Sequence, residues 1–141
     1  MKLSKSIITW SVLEPYFLST LRIVAAFMFV IAGTTKLFAF PYSVFPNGGT
    51  VQFMSQIWIG AVLEVFGGGL LFIGLFTRPV AFLLAGEMAV AYFQFHFPKG
   101  FWPGSNGGMS AVLYCFLWLY FSAAGAKLWS VDAMLMKKIS K

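Results

Sequence analysis

Residues 57–97 read IWIGAVLEVFGGGLLFIGLFTRPVAFLLAGEMAVAYFQFHF. Two apolar runs, Ile57–Phe76 and Val80–Phe97, are separated only by Thr77-Arg78-Pro79. Each holds about 18–20 residues, and at about 1.5 Å per residue a helix of that length reaches across most of a ~30 Å hydrocarbon core. Membrane strands alternate lipid-facing and inward side chains over about ten residues, whereas these runs stay apolar throughout, which argues against strands. A connection this short leaves the two helices as antiparallel neighbours. The stretch therefore predicts a helical hairpin in a membrane.

The same pattern extends on both sides. Upstream, Phe17–Phe40 is a first apolar run, preceded by Glu14-Pro15 and closed by Pro41, Pro46 and Asn47-Gly48-Gly49. Proline suits the first turn of a helix, where its missing N–H would have no partner. The run is too long for the core of a signal peptide. Downstream, Met109–Ala126 follows the loop Pro98–Gly108. The predicted fold is all-α, one domain over residues 1–141. Four transmembrane helices, at 17–40, 57–76, 80–97 and 109–126, make an up-down-up-down bundle. Beyond them, Val131, Leu135 and Ile139 recur at helical spacing against three lysines, which fits a short interfacial helix or a solvated tail.

Composition points the same way. Of 141 residues, 60% are hydrophobic and 10% charged, with 17 Phe, 5 Trp and 5 Tyr. So short a chain cannot bury that much apolar surface inside itself. The partner for the remainder is the lipid bilayer, with aromatic residues at its interfaces. The net charge is +6, yet no dense basic cluster exists beyond Lys137-Lys138, so a nucleic-acid partner is not expected. Cys115 has no second cysteine to pair with and reads as a small hydrophobe. Lys2, Lys5, Arg22, Arg78, Lys127, Lys137, Lys138 and Lys141 fall on or near one side of the predicted bundle, and Lys36 and Lys99 toward the other. Basic residues mark the cytoplasmic side, so the expected location is a bacterial inner (cytoplasmic) membrane with both termini in the cytoplasm.

Charge inside a membrane helix is costly and its usual place is the bundle interior. Lys36, Glu64 and Glu87 are such groups, with Gln94 and His96 nearby. Glu64 shares a helix face with Gly60 and Gly67, Glu87 with Ala91 and Gln94, and Lys36 with Gly33. Small residues on those faces permit close helix approach. Helical rise gathers these groups in the outer half of the bundle, with Glu87 nearer the middle. The outer loops add Trp102 and Asn106. A candidate outer pocket follows: Lys36, Glu64, Glu87, Gln94, His96, Trp102 and Asn106. It either binds a polar head, such as a quinone, or contains a Lys36–Glu64 pair that only fixes helix register. One His without a Cys cluster makes no metal centre, and no metal is expected. No nucleophile motif accompanies the carboxylates, so no catalytic residue is assigned.

Arg22 and Gly33-Thr34-Thr35-Lys36-Leu37, then Glu64-Val65-Phe66-Gly67-Gly68-Gly69-Leu70-Leu71, Gly74-Leu75-Phe76-Thr77-Arg78-Pro79, His96, Gly125 and Trp129-Ser130-Val131-Asp132 together resemble the DoxX family of membrane proteins. The likeness runs from about Leu21 to Asp132. It implies a four-helix inner-membrane protein. Some members resemble subunits of sulfur-compound:quinone oxidoreductases. Others associate with thiol and superoxide defence or with maturation of periplasmic redox proteins. The expected role is that of an integral membrane subunit or accessory of a quinone- or thiol-linked redox system. It would work beside a membrane or periplasmic redox partner protein and not be catalytic alone. The alternative is a non-catalytic scaffold or assembly factor.

Overall fold

The computed structural model describes residues 2–139, and their side chains from Trp10 onward. Among the described residues there are helices and loops and no strand. The helices are α1 (Lys2–Phe38), α2 (Gln56–Ile73), α3 (Thr77–Ala91), the single turn α4 (Pro103–Asn106), α5 (Met109–Ala124) and α6 (Val131–Ile139). Three stretches are long and apolar enough to cross a membrane: Trp10–Phe38, Gln56–Ile73 and Thr77–Lys99. The apolar helix α5 has 16 residues, about 24 Å by helical rise.

The helix boundaries differ from expectation where local chemistry intervenes. α1 does not begin near Phe17 but runs through Pro15 from Lys2. Proline lacks the N–H that would reach back one turn to the Ser11 carbonyl, and membrane helices tolerate this; one turn onward the Ser19 hydroxyl donates to the Pro15 carbonyl at 2.7 Å. α1 stops at Phe38, where Ala39 takes a left-handed φ of 51° and Pro41 disfavours helix at Phe40. α2 starts on Ser55, whose hydroxyl accepts the Trp58 N–H at 3.2 Å, a standard helix cap. It ends on Gly74, φ 70°. There the N–H groups of Gly74 and Leu75 return to the carbonyls of Leu71 and Leu70, at 3.2 and 2.9 Å, a closure that favours glycine.

The third apolar run does not stay α-helical to Phe97. After Ala91 it widens into a π-helical turn, Tyr92–His96, then tightens into a 3-10 turn, Phe97–Lys99. Each change of winding redirects the side chains that follow, and π turns recur at functional sites. α5 ends two residues before Ala126 because Gly125, at φ 75°, breaks the helix.

α1 packs chiefly on α2 and α3 on α5, with α2 and α3 joined along their own seam. Glycines make two of these approaches close. A Cβ on Gly33 would stand 2.7 Å from the Ala61 carbonyl oxygen, and one on Gly67 2.8 Å from Leu84 Cδ2. The first contact is with backbone, which cannot swing away. Between the helices lie Ala25, Ala26, Phe29, Leu71, Ala81, Leu84, Ala85, Trp118 and Phe121. Phe29 meets the Trp118 ring edge-on at 5.4 Å, and Tyr114 stacks on Trp118 at 5.6 Å. Outward, large apolar side chains such as Phe66, Phe82, Leu113 and Phe116 are exposed, as lipid-facing residues are.

Candidate functional site

Polar groups buried among these helices collect at two ends. Arg22 belongs to one and Lys36 to the other, about 21 Å apart along α1 by helical rise.

At the first end Arg22 is wholly buried. Its Nη1 donates to the carbonyls of Leu71 and Phe72, the latter at 2.8 Å. Nε reaches the Ala126 carbonyl at 3.2 Å, and Nη2 the Trp129 carbonyl. A cation thus meets the carbonyl end of α2, where the helix dipole favours positive charge. Arg78 does the same for α5: its Nη1 donates to Ala123 O at 2.5 Å and Ser122 O at 3.4 Å. Asp132 supplies the opposite sign where it is wanted. Its two carboxylate oxygens accept the N–H groups of Phe76 and Thr77, both at 2.9 Å, so a residue of α6 caps the start of α3. The Ser19 hydroxyl accepts the Leu128 N–H at 3.1 Å.

At the other end a cavity of about 940 Å³ lies among α1, α2, α3 and α5. Phe29, Leu63, Leu83, Met88, Ala111 and Phe95 make much of its wall, and Tyr42 and Val44 reach it from the α1–α2 loop. In that wall Lys36 Nζ holds both oxygens of Glu64, at 2.5 and 2.6 Å. The Glu64 side chain is 4% exposed and that of Lys36 29%, so the pair is buried from its acidic side and open from its basic side. Glu87 faces it from α3. Gly60 leaves room for this carboxylate, since a Cβ there would come within 3.2 Å of Glu87 Oε1. Glu87 Oε2 is buried with no hydrogen-bond partner among the described residues. Thr35, Tyr114, Ser110, Gln56 and His96 complete the polar lining.

Of the seven residues picked from sequence, Lys36, Glu64, Glu87 and His96 share this cavity. The other three do not line it. Gln94 is exposed on the π turn and accepts from the Gln56 side chain. Asn106 is buried but occupied. Its amide donates to Gly100 O at 2.7 Å and its carbonyl oxygen accepts the Gly108 N–H at 2.8 Å. Trp102 lies exposed at the start of α4, edge-on to Phe101. The loop holding Asn106 and Trp102 folds on its own hydrogen bonds and on the Tyr92 hydroxyl, and neither residue lines the cavity. His96 points Nδ1 at the Asn106 carbonyl, 3.2 Å away.

Sequence reading missed Tyr114 and the interlock at the Arg22 end. Tyr114 could have been found from α5 periodicity, being three residues from buried Ala111 and four from Trp118. In the sequence Arg22 enters as an orienting charge and as part of the family resemblance, not as a site residue. Its place inside an apolar run was the available signal, since such a residue is a site candidate by default.

The family model DoxX matches residues 17–97. A Haemophilus influenzae protein, described as an uncharacterized protein, is 46% identical over 128 residues, covering 89% of this chain and 95% of that one. No solved structure matches. The matched span includes Arg22, the Lys36–Glu64 pair, Glu87 and His96, and so takes in most of both polar ends; the chain belongs to the DoxX family.

Proposed function

We propose that the protein is a bacterial inner-membrane accessory subunit of a quinone-linked redox system, and that its cavity receives the head of a lipid quinone. In this reading α5 serves as a fourth span of an up-down-up-down bundle, and both termini are cytoplasmic. The observation that carries the proposal is the partnerless Glu87 oxygen, buried in an apolar cavity beside an ion pair. A buried polar atom without a partner costs stability and calls for a reason. A ligand that supplies the missing hydrogen bond is one. Binding pockets are mostly apolar with a few placed polar groups and measure about 300–1,000 Å³, and the cavity fits that description. A quinone head offers carbonyl oxygens to a donor such as Lys36. Its reduced form offers hydroxyls to an acceptor such as Glu87.

The Lys36–Glu64 contact favours a second reading. At 2.5 and 2.6 Å the pair is complete without a ligand, as a scaffold holding helix register requires. One experiment separates the two. Gly86 lines the cavity, and a Cβ there meets nothing within 4 Å, so Gly86→Leu adds bulk at the cavity without disturbing packing. The parent protein in mild detergent should bind a decyl-chain benzoquinone saturably, and Gly86→Leu should lose that binding at unchanged thermal stability. A parent with no saturable binding sinks the quinone reading. Capture of a redox partner equally well by both proteins would then favour the scaffold.

A further inference from the structure

A second hollow, of about 540 Å³, lies at the Arg22 end. Thr77, Arg78 and Pro79 line it from α3, Gly125 and Lys127 from the α5–α6 connection, and Leu135 and Met136 from α6. The one carboxylate in its lining is already in use. Both Asp132 oxygens hold the N–H groups that begin α3, and the last carbonyls of α5 hold Arg78 Nη1. Three donor groups remain beside it. Arg78 Nε and Nη2 make no hydrogen bond to any described residue, and Thr77 Oγ1 is buried with no partner among them. Lys127 Nζ stands 3.6 Å from Glu14 Oε1, a loose contact between two partly exposed side chains. The carboxylate of Asp132 does not repel an anion strongly, because it faces the positive end of α3.

A hollow with two cationic donors and a hydroxyl to spare suits an anion. Its other wall is apolar. Leu135 and Met136 are 46% and 69% exposed, on a helix whose Met134 and Ile139 are also exposed. The occupant therefore combines an anionic head with a hydrocarbon chain. We propose that this hollow binds an anionic phospholipid, its phosphate against Arg78 and Lys127 and its acyl chain along Leu135 and Met136. Basic hollows between membrane helices at the headgroup level recognise such lipids. The site shares no residue with the larger cavity and stands or falls independently of the quinone proposal.

The full chain in phosphatidylcholine nanodiscs doped with phosphatidylglycerol would be released for native mass spectrometry, and the lipids that stay attached counted. Phosphatidylglycerol should be enriched by about fivefold or more over its share of the bilayer, as two near-surface cations allow. Two substitutions should remove most of that enrichment. Lys127→Asn deletes a cation while tolerating the left-handed φ of 60°. Met136→Glu sets a like charge in the acyl groove at an exposed position, so it keeps the test standing if Lys127→Asn unfolds. Equal retention of the two lipids would overturn the proposal, as would enrichment that survives Met136→Glu. Displacement of the lipid by millimolar inorganic phosphate would also overturn it, in favour of a site for the free anion.

Discussion

The two polar ends of this molecule handle buried charge in opposite ways. At the Arg22 end charges meet backbone: Arg22 and Arg78 sit on the carbonyl ends of α2 and α5, and Asp132 on the amide end of α3. Those partners are already fixed by the helices and need no second side chain. At the Lys36 end charge meets charge, and one carboxylate oxygen, on Glu87, has no hydrogen-bond partner among the described residues. The first arrangement closes a structure. The second leaves one buried acceptor without a hydrogen bond to any described residue. The Gly74–Pro79 and Trp129–Asp132 segments behind the family resemblance belong to the closing end, so they speak for the fold. The residues that speak for binding stand about 20 Å away along α1.

Breaking the closed end should have the largest effect. Arg22→Met removes four charge-assisted bonds to backbone carbonyls, of which that of Leu71 keeps the Gly74 N–H. The loss should be about 4 kcal/mol or more, read as unfolding at much lower denaturant in mixed micelles. A variant that unfolds near the parent would mean that the four carbonyls find other donors and that the end is not held by Arg22.

The ion pair sharpens the comparison because its halves are unequally buried. Lys36→Met strands Glu64, whose side chain is 4% exposed, and should cost about 3 kcal/mol. Glu64→Gln strands Lys36, which is 29% exposed and can turn toward water or Glu87, so its cost should be nearer 1 kcal/mol. The double variant should cost less than the two losses added. Equal single losses, or strict additivity, would contradict the unequal burial.

Asp132→Ala comes next, at about 1–2 kcal/mol for a lost helix cap. Its signature should be local: faster amide exchange at Phe76 and Thr77 and little change at Lys36. Uniform acceleration over the whole chain would show that Asp132 supports the entire bundle and does more than cap α3.

How much of this was legible in the sequence depended on the range of the interaction. Continuous apolar runs identify the helices because bilayer thickness sets their length. Lys36 and Glu64 could be matched because helical rise gives both a similar depth and flanking glycines orient their faces. Arg22 could not be matched, since two of its carbonyl partners, Ala126 and Trp129, lie more than a hundred residues on, and backbone acceptors carry no residue identity. The Asp132 cap failed for the same reason across 55 and 56 residues. Loop proximity alone places Asn106 and Trp102 with the pocket in the sequence, whereas the Asn106 side chain is taken up by Gly100, Gly108 and Tyr92. The π turn at Tyr92–His96 has no proline or glycine within it, and nothing in its composition announces it.

The smallest effect on stability should come from Glu87→Gln, and that is what makes it informative. The substitution keeps the shape of the side chain and its place beside Gly60. It breaks no hydrogen bond at Oε2, because Oε2 has none among the described residues. Stability should therefore stay within about 0.5 kcal/mol of the parent, in contrast to Glu64→Gln, which removes a carboxylate that is fully engaged. Binding should respond the other way. If Glu87 completes its hydrogen bonding only when a ligand arrives, the Gln variant should lose affinity for a reduced decyl-chain quinol, since an amide is a weaker acceptor than a carboxylate. The expected loss is about tenfold, the size of one charge-assisted hydrogen bond. A Gln variant destabilised as much as Asp132→Ala would reveal a structural partner for Glu87 and withdraw the observation on which the quinone proposal rests. A variant with full stability and undiminished binding would leave the cavity but move the recognition of the head to Lys36.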